Sequence, residues 1–296
     1  MAAGAGDAAG AGAAVTDGPR DRVGLGWRPE LAAAIVAHLD RIDVVEVIAD
    51  DYVDAGGRSL RALRTLTAQV PVLLHGVSLG LASTIEVDGA RLDALARVVD
   101  AVRPEAWSEH LAFVRGGGHE IGHLAAPPRT EATAAGTARN VERARRTVGA
   151  APLLENVATL IDPPGSDHDE PAWIGEVVAA AETDLLLDLH NLHANAVNFR
   201  FDAHGALARL PLDRVRVVHL AGGRWIGRLL DDHLHDVPGR VFALLEELAA
   251  RAPRPLTVVL ERDGNYPPFA HLLGELARAR AALAAGRARA RSAAVA

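Results

Sequence analysis

The chain has 296 residues, 31 basic against 38 acidic side chains and a net charge of −7, which excludes a global basic field for nucleic acid or anionic lipid. It contains no cysteine, so disulfides, thiolate metal sites and a cysteine nucleophile are excluded, and any metal must be held by nitrogen and oxygen. Aromatic residues at 4% are too sparse to stack single-stranded nucleic acid, and no apolar run reaches the roughly 18 residues of a membrane helix.

Residues 1–20, rich in Ala and Gly and interrupted by acids, read as a disordered tail rather than a signal peptide. Short apolar runs predict strands at 23–26, 43–48, 70–74, 105–108, 152–154, 185–187, 215–218 and 256–260. Helical spacing predicts helices at 29–39, 58–69, 89–102, 130–148, 171–181, 238–251 and 267–282, with only a short helix at 202–210 between the sixth and seventh strands. Pro29, Pro171 and Pro267 suit first helical turns, where the missing N–H costs nothing. The polar stretch 162–170 is an excursion rather than a linker, and 286–296 reads as a frayed tail.

Most of the strands read as continuously buried, as in a parallel sheet covered on both faces. Eight of them alternating with helices predict a single (β/α)8 TIM barrel over 21–285. A doubly wound open sheet is the runner-up. It would usually bind its ligand at a Gly-rich first turn, and Gly24-Leu25-Gly26-Trp27-Arg28-Pro29 is not that turn. The expected location is the cytoplasm.

In such a barrel the active site lies at the C-terminal strand ends. There the sequence places His75 after the third run, Glu109 and His110 after the fourth, and Glu155 and Asn156 after the fifth. Asp188, His190 and Asn191 follow the sixth run, His219 ends the seventh, and Glu261 and Asp263 follow the eighth. The loop after the seventh run adds Asp231 and His233. A lone histidine or glutamate at a strand end is more often structural, but barrel closure brings all of these into one ring. Converging carboxylates repel, and a bound cation removes that cost. Imidazole mixed with carboxylate suits iron, manganese or zinc.

His75, Glu109, Asp188, His219, Asp231, His233 and Glu261 are candidate metal ligands, more than one tetrahedral ion accepts, which favours two or more ions. Glu155, Asn156 and Asp263 are candidates to complete or orient the shell, and His110, His190 and Asn191 are the candidate catalytic groups.

These segments resemble the family labelled domain of unknown function 692, which includes the methanobactin and 3-thiaglutamate biosynthesis oxygenases. The likeness lies in Gly24-Leu25-Gly26-Trp27-Arg28-Pro29-Glu30, Leu74-His75-Gly76-Val77-Ser78-Leu79, Ser108-Glu109-His110-Leu111 and Leu153-Leu154-Glu155-Asn156. It continues in Leu187-Asp188-Leu189-His190-Asn191, His219-Leu220-Ala221-Gly222, the run Asp231–Pro238 and Leu260-Glu261-Arg262-Asp263. The resemblance covers about residues 23–275. It implies a xylose-isomerase-like barrel with two or three iron ions, using dioxygen to oxidise a cysteine of a ribosomally made precursor peptide. A small leader-binding partner protein is implied as well, with no nucleic acid and no membrane. Carried over by position, the same seven residues would ligate the metals.

One departure stands out. Where the family commonly has a histidine ligand, this chain has Ile48, so about two tightly held ions are expected rather than three. Two other classes of function fit the residues. One is a metal-dependent isomerase, epimerase or endonuclease IV-like phosphodiesterase on the same barrel; the other is a metal-binding accessory protein without turnover.

Overall fold

The computed structural model describes residues 20–295, so the tail expected at 1–20 lies, apart from Arg20, outside the described residues. The chain begins with β1 (Arg22–Gly26), α1 (Ala32–Ala37), β2 (Val45–Ile48), α2 (Gly57–Thr67), β3 (Val72–Gly76), α3 (Gly89–Val102) and β4 (Ala106–His110). A hairpin of β5 (Phe113–Gly116) and β6 (His119–Ala125) follows, then α4 (Glu131–Val148), β7 (Leu153–Glu155) and α5 (Glu170–Ala181). Next come β8 (Leu185–Asp188), α6 (Leu189–Phe199), α7 (Ala203–Leu207), β9 (Val215–Leu220) and a small hairpin of β10 (Arg224–Trp225) and β11 (Leu229–Leu230). The chain closes with α8 (Gly239–Arg251), β12 (Thr257–Leu260) and α9 (Phe269–Val295).

Eight parallel strands close in the order β1-β12-β9-β8-β7-β4-β3-β2, the (β/α)8 barrel that the alternation predicts. Strand side chains alternate between faces, and that alternation divides the core in two. Val45, Val47, Leu74, Trp107, Leu154, Leu187, Val218 and Leu260 face outward and join the helices in one apolar cluster. Val44, Leu73, Leu186, Val217 and Val259, with Ala106 and Leu153, fill the barrel interior as a separate layer. Two residues further along these seven strands, the same inward parity falls on polar side chains. The apolar layer is therefore the floor on which the polar ring rests.

Three features depart from the expected elements. The polar run after Asp188 is helical: the Asp188 carboxylate caps α6 by accepting from the Asn191 N–H at 2.6 Å. The loops after β4 and β9 carry the two hairpins, which alternation too short to register had not revealed. At the far end, α9 runs to Val295 through most of the segment expected as a tail. Arg287 anchors it, bonding Asp21 at 2.8 Å and the Ala249 carbonyl at 2.9 Å. Among the described residues no helix is long and apolar enough to cross a membrane.

Candidate metal centre

Register sets the ring of polar groups at one level. Ile48 pairs with His75, His110 with Glu155, and Asp188 with His219. The inward positions above the apolar floor are Glu46 and Ile48 on β2, His75 on β3, Ser108 and His110 on β4, and Glu155 on β7. Asp188 on β8, His219 on β9 and Glu261 beyond β12 complete the ring.

His219 stands at the centre, fully buried. Its Nε2 lies 2.8 Å from Glu46 Oε1, while its Nδ1 lies 2.9 Å from Glu261 Oε2 and 3.4 Å from Glu155 Oε1. A neutral imidazole has one N–H, so it cannot donate to carboxylates on both sides. Glu155 Oε2 in turn lies 3.3 Å from both His75 Nε2 and His110 Nε2. The donors form three linked groups, the atoms of each within 4.8 Å of one another: His75, His110 and Glu155; Glu155, Asp188, His219 and Glu261; and His233, Glu261 and Asp263. Glu155 belongs to the first two groups and Glu261 to the last two.

Without a cation, protons carry the compensation. Burial works against charge on His219, yet Glu261, Glu46 and Glu155 raise its pKa well above the usual imidazole range. His110, opposed by burial but drawn up by Glu155 and Glu109, reaches about 9. Burial and the charge of Asp231 push Asp188 well above the carboxylate range. Burial also resists ionisation of Glu261, but His219 and His233 hold it well below that range. Even so, Glu46 Oε1 and Oε2, Glu155 Oε2, Asp188 Oδ2, His110 Nδ1, His233 Nε2 and both nitrogens of His219 have no hydrogen-bond partner. Buried polar atoms without partners are few in native proteins. Here they converge, and a mixed nitrogen and oxygen donor set fits first-row metal ions.

The remaining candidates take other positions. Glu109 has outward parity: its carboxylate accepts from the Leu79 N–H at 3.0 Å and the His110 N–H at 2.9 Å, and it belongs to none of the donor groups. Asp231 lies between two imidazoles, 2.6 Å from His190 Nδ1 and 3.0 Å from His233 Nε2. The His233 backbone is left-handed, at φ 54°, and its carbonyl accepts from the Asp263 N–H at 3.0 Å. Asp263 also accepts from Arg28 Nε at 3.0 Å. Asn156 clasps the backbone of Asp188 through two hydrogen bonds, and Asn191 donates to the Asn156 carbonyl at 2.9 Å. These amides tie the end of β7 to the start of α6.

Sequence reasoning did not single out Glu46, and it placed Glu155 and His110 outside the candidate ligands. Strand parity is the signal that finds them: each lies two or four residues beyond an inward apolar residue, Val44, Leu153 or Ala106. The same count sets Glu109 apart.

Above the ring lies a cavity of about 660 Å³, lined on one side by His75, His110, Glu155, His233 and Glu261 and on the other by apolar side chains. A fourth acidic group, Asp236, His271 and Glu275, lies outside it. The Arg262 guanidinium, 2.7 Å from Asp236 and 3.5 Å from Glu275, supplies its counter-charge.

Comparison with known proteins gives the family and the fold. The family described as "RiPP precursor modification enzyme MbnB/TglH/ChrH" matches residues 22–284. A UPF0276 protein of Caulobacter vibrioides is 37% identical over 276 residues, covering 91% of this chain and 96% of that protein. One from Streptomyces avermitilis is 39% identical over 268 residues, 88% of this chain, which spans only 54% of the longer relative. A solved xylose isomerase domain protein from Alicyclobacillus acidocaldarius has a TM-score of 0.59 at 15% identity, covering 90% of this chain and 99% of that one. At that identity the likeness shows the fold alone.

Proposed function

Because the chain belongs to this family of RiPP precursor modification enzymes, we propose that it is an iron-dependent oxidoreductase acting on a residue, cysteine, of a ribosomally made precursor peptide. Two or three iron ions, with dioxygen as co-substrate and a small leader-binding partner protein, complete the proposal, and the setting is cytoplasmic. The observation that carries it is the linked set of donor groups, joined through Glu155 and Glu261, opening onto one cavity.

Under this reading His75, His110, Glu155, Asp188, His219, His233 and Glu261 hold the metals, with Asp263 at the outer edge. Bound iron supplies the one-electron chemistry that couples dioxygen reduction to oxidation of the peptide. The protein's own residues do the rest. Asn156 and Asn191 fix Asp188, while His190 fixes Asp231, which in turn aims His233. Glu109, through the His110 N–H, holds the end of β4 where His110 faces Glu155. Apolar walls limit water at the reacting group, and the absence of cysteine from the chain removes any competing thiol.

The test is direct. Iron-loaded and zinc-loaded protein are each given a cysteine-containing precursor and leader-binding protein encoded beside the gene, and peptide mass and oxygen uptake are followed. The expected result is a mass change with oxygen consumption for iron alone. Equal conversion by the zinc form would overturn the redox assignment and favour the isomerase or hydrolase chemistry of related barrels.

A further inference from the structure

The cavity has a polar base and a mostly apolar wall. The segments 113–128 and 157–164 contribute to its lining, among others, Phe113, Ile121, Leu124, Leu160, Ile161 and Pro163, with His123 and Thr159 as their polar side chains and no carboxylate or guanidinium. Three of these side chains are far more exposed than aliphatic groups usually are: Ile121 at 44%, Leu160 at 43% and Ile161 at 70%. Scattered exposed apolar residues need no explanation, but three converging from two segments onto one cavity mark a contact surface.

Both segments are held rigidly. Arg115 of the hairpin donates to the carbonyls of Ser78 at 2.7 Å and Leu79 at 3.2 Å, and it pairs with Glu120 at 2.6 Å. On the other side the Thr159 N–H donates to Asn195 Oδ1 at 2.9 Å, its hydroxyl donates to the Ile161 carbonyl at 2.7 Å, and Arg129 pairs with Asp162 at 2.9 Å. The aliphatic groups are thus presented to solvent on backbone that is already fixed, as in a preorganised binding surface.

We propose that Ile121, Leu160 and Ile161 form an apolar clamp that selects precursor peptides carrying a bulky apolar side chain immediately beside the residue being modified. This inference rests on the peptide-modifying reading above. The occupant follows from continuity: a residue reaching the donor groups at the base must bring its neighbour against these walls. A cavity of about 660 Å³ holds more than a single side chain. A wall that offers no carboxylate or guanidinium gives a charged flank little compensation for its desolvation.

The test uses the redox-silent zinc-loaded protein and acetyl-Gly-Gly-Xaa-Cys-Gly-Gly-amide peptides with Xaa as Leu, Phe, Ser or Asp, with affinity measured by calorimetry. The Leu and Phe peptides are expected to bind at least tenfold more tightly than the Ser and Asp peptides. In the L160S/I161S variant, with melting temperature and metal content unchanged, that preference should fall below threefold; Ile121→Ser alone should lower it partially. Equal affinity across the peptides, or a preference that survives L160S/I161S, would overturn the clamp while leaving peptide modification standing. Binding of none of the peptides would overturn the clamp, while the conversion assay with precursor and leader-binding protein decides peptide modification separately.

Discussion

At the scale of single residues, strand parity separates the candidate ligands from the residues that support them. His219 meets carboxylates on both ring nitrogens, Glu261 joins two donor groups, and Asp188 keeps one oxygen without a hydrogen-bond partner. Replacing any one of them by Ala should lower metal content in anaerobically purified protein, because lost donors weaken binding directly. Full retention in all three variants would refute the site. The stability cost should be smaller than for most buried charges, since each deletion also relieves crowding among carboxylates or protons. Glu109→Gln removes no atom of the donor groups but leaves one oxygen for two N–H donors that bond separate carboxylate oxygens, so it is expected to lower stability more than metal content.

Ile48 gives a sharper test. It lines the cavity and pairs in register with His75, whose group holds three donors rather than four. The third group is weakened differently, because Arg28 competes for Asp263. About two firmly held ions are therefore expected. Ile48→His should add a donor beside His75 and raise metal retention towards three. If position 48 serves only packing, the change should instead cost stability, on the order of 1–3 kcal/mol, with stoichiometry unchanged. Metal analysis and thermal melting of the same two proteins distinguish these outcomes.

At the scale of elements, the strands were legible because a parallel barrel buries both faces, so each strand reads as an apolar run. The boundaries that mattered most were the polar residues just beyond. Leu185–Asp188 and Val215–Leu220 carry their candidate ligands at or near the last strand position, where the end of an apolar run makes such residues visible in a sequence. Glu46 was hidden, since one acid amid valines on β2 shows no apolar-to-polar transition. Helix α6 was hidden because Asp188-Leu189-His190-Asn191-Leu192-His193 combines a cap, donors and a helix start in one polar run. The β10–β11 hairpin has strands of two residues, too short for any period, yet it shapes the site. A Cβ at Gly223 would lie 2.7 Å from His190 Cε1 and run into the Leu230 carbonyl. Gly223→Ala should therefore displace His190 from Asp231, cost roughly 1–3 kcal/mol by overpacking, and loosen the metal nearest His233. Chemical denaturation with metal analysis checks both effects.

For the whole molecule, the barrel concentrates carboxylate charge that Arg28, 3.8 Å from Glu261, offsets only in part, leaving protons or metal to neutralise the rest. In the metal-free protein His110 keeps its proton up to about pH 9, despite burial, because Glu155 and Glu109 favour the charged ring. A pKa raised on folding gives stability that is complete below the ordinary imidazole value near 6.5 and is lost as pH rises through the folded value. The metal-free protein should therefore melt lower at pH 9 than at pH 6.5, by about 2 °C or more. Metal-loaded protein should not show this fall, because the metal has displaced the proton. Metal affinity should in turn weaken as pH falls. Calorimetric melting of both forms across that range is the check; parallel curves would contradict the linkage.

If Glu155, shared by two donor groups, joins two metal positions, its loss should empty both, and metal stoichiometry reads this out. Iron per chain should be measured in anaerobically purified protein and in its Glu155→Ala and Asp263→Ala variants. At least two ions are expected in the unmodified chain, with more than one lost in Glu155→Ala and no more than one in Asp263→Ala. Fewer than one firmly bound ion in the unmodified protein, or no difference between Glu155→Ala and the unmodified chain, would contradict a shared, multinuclear centre.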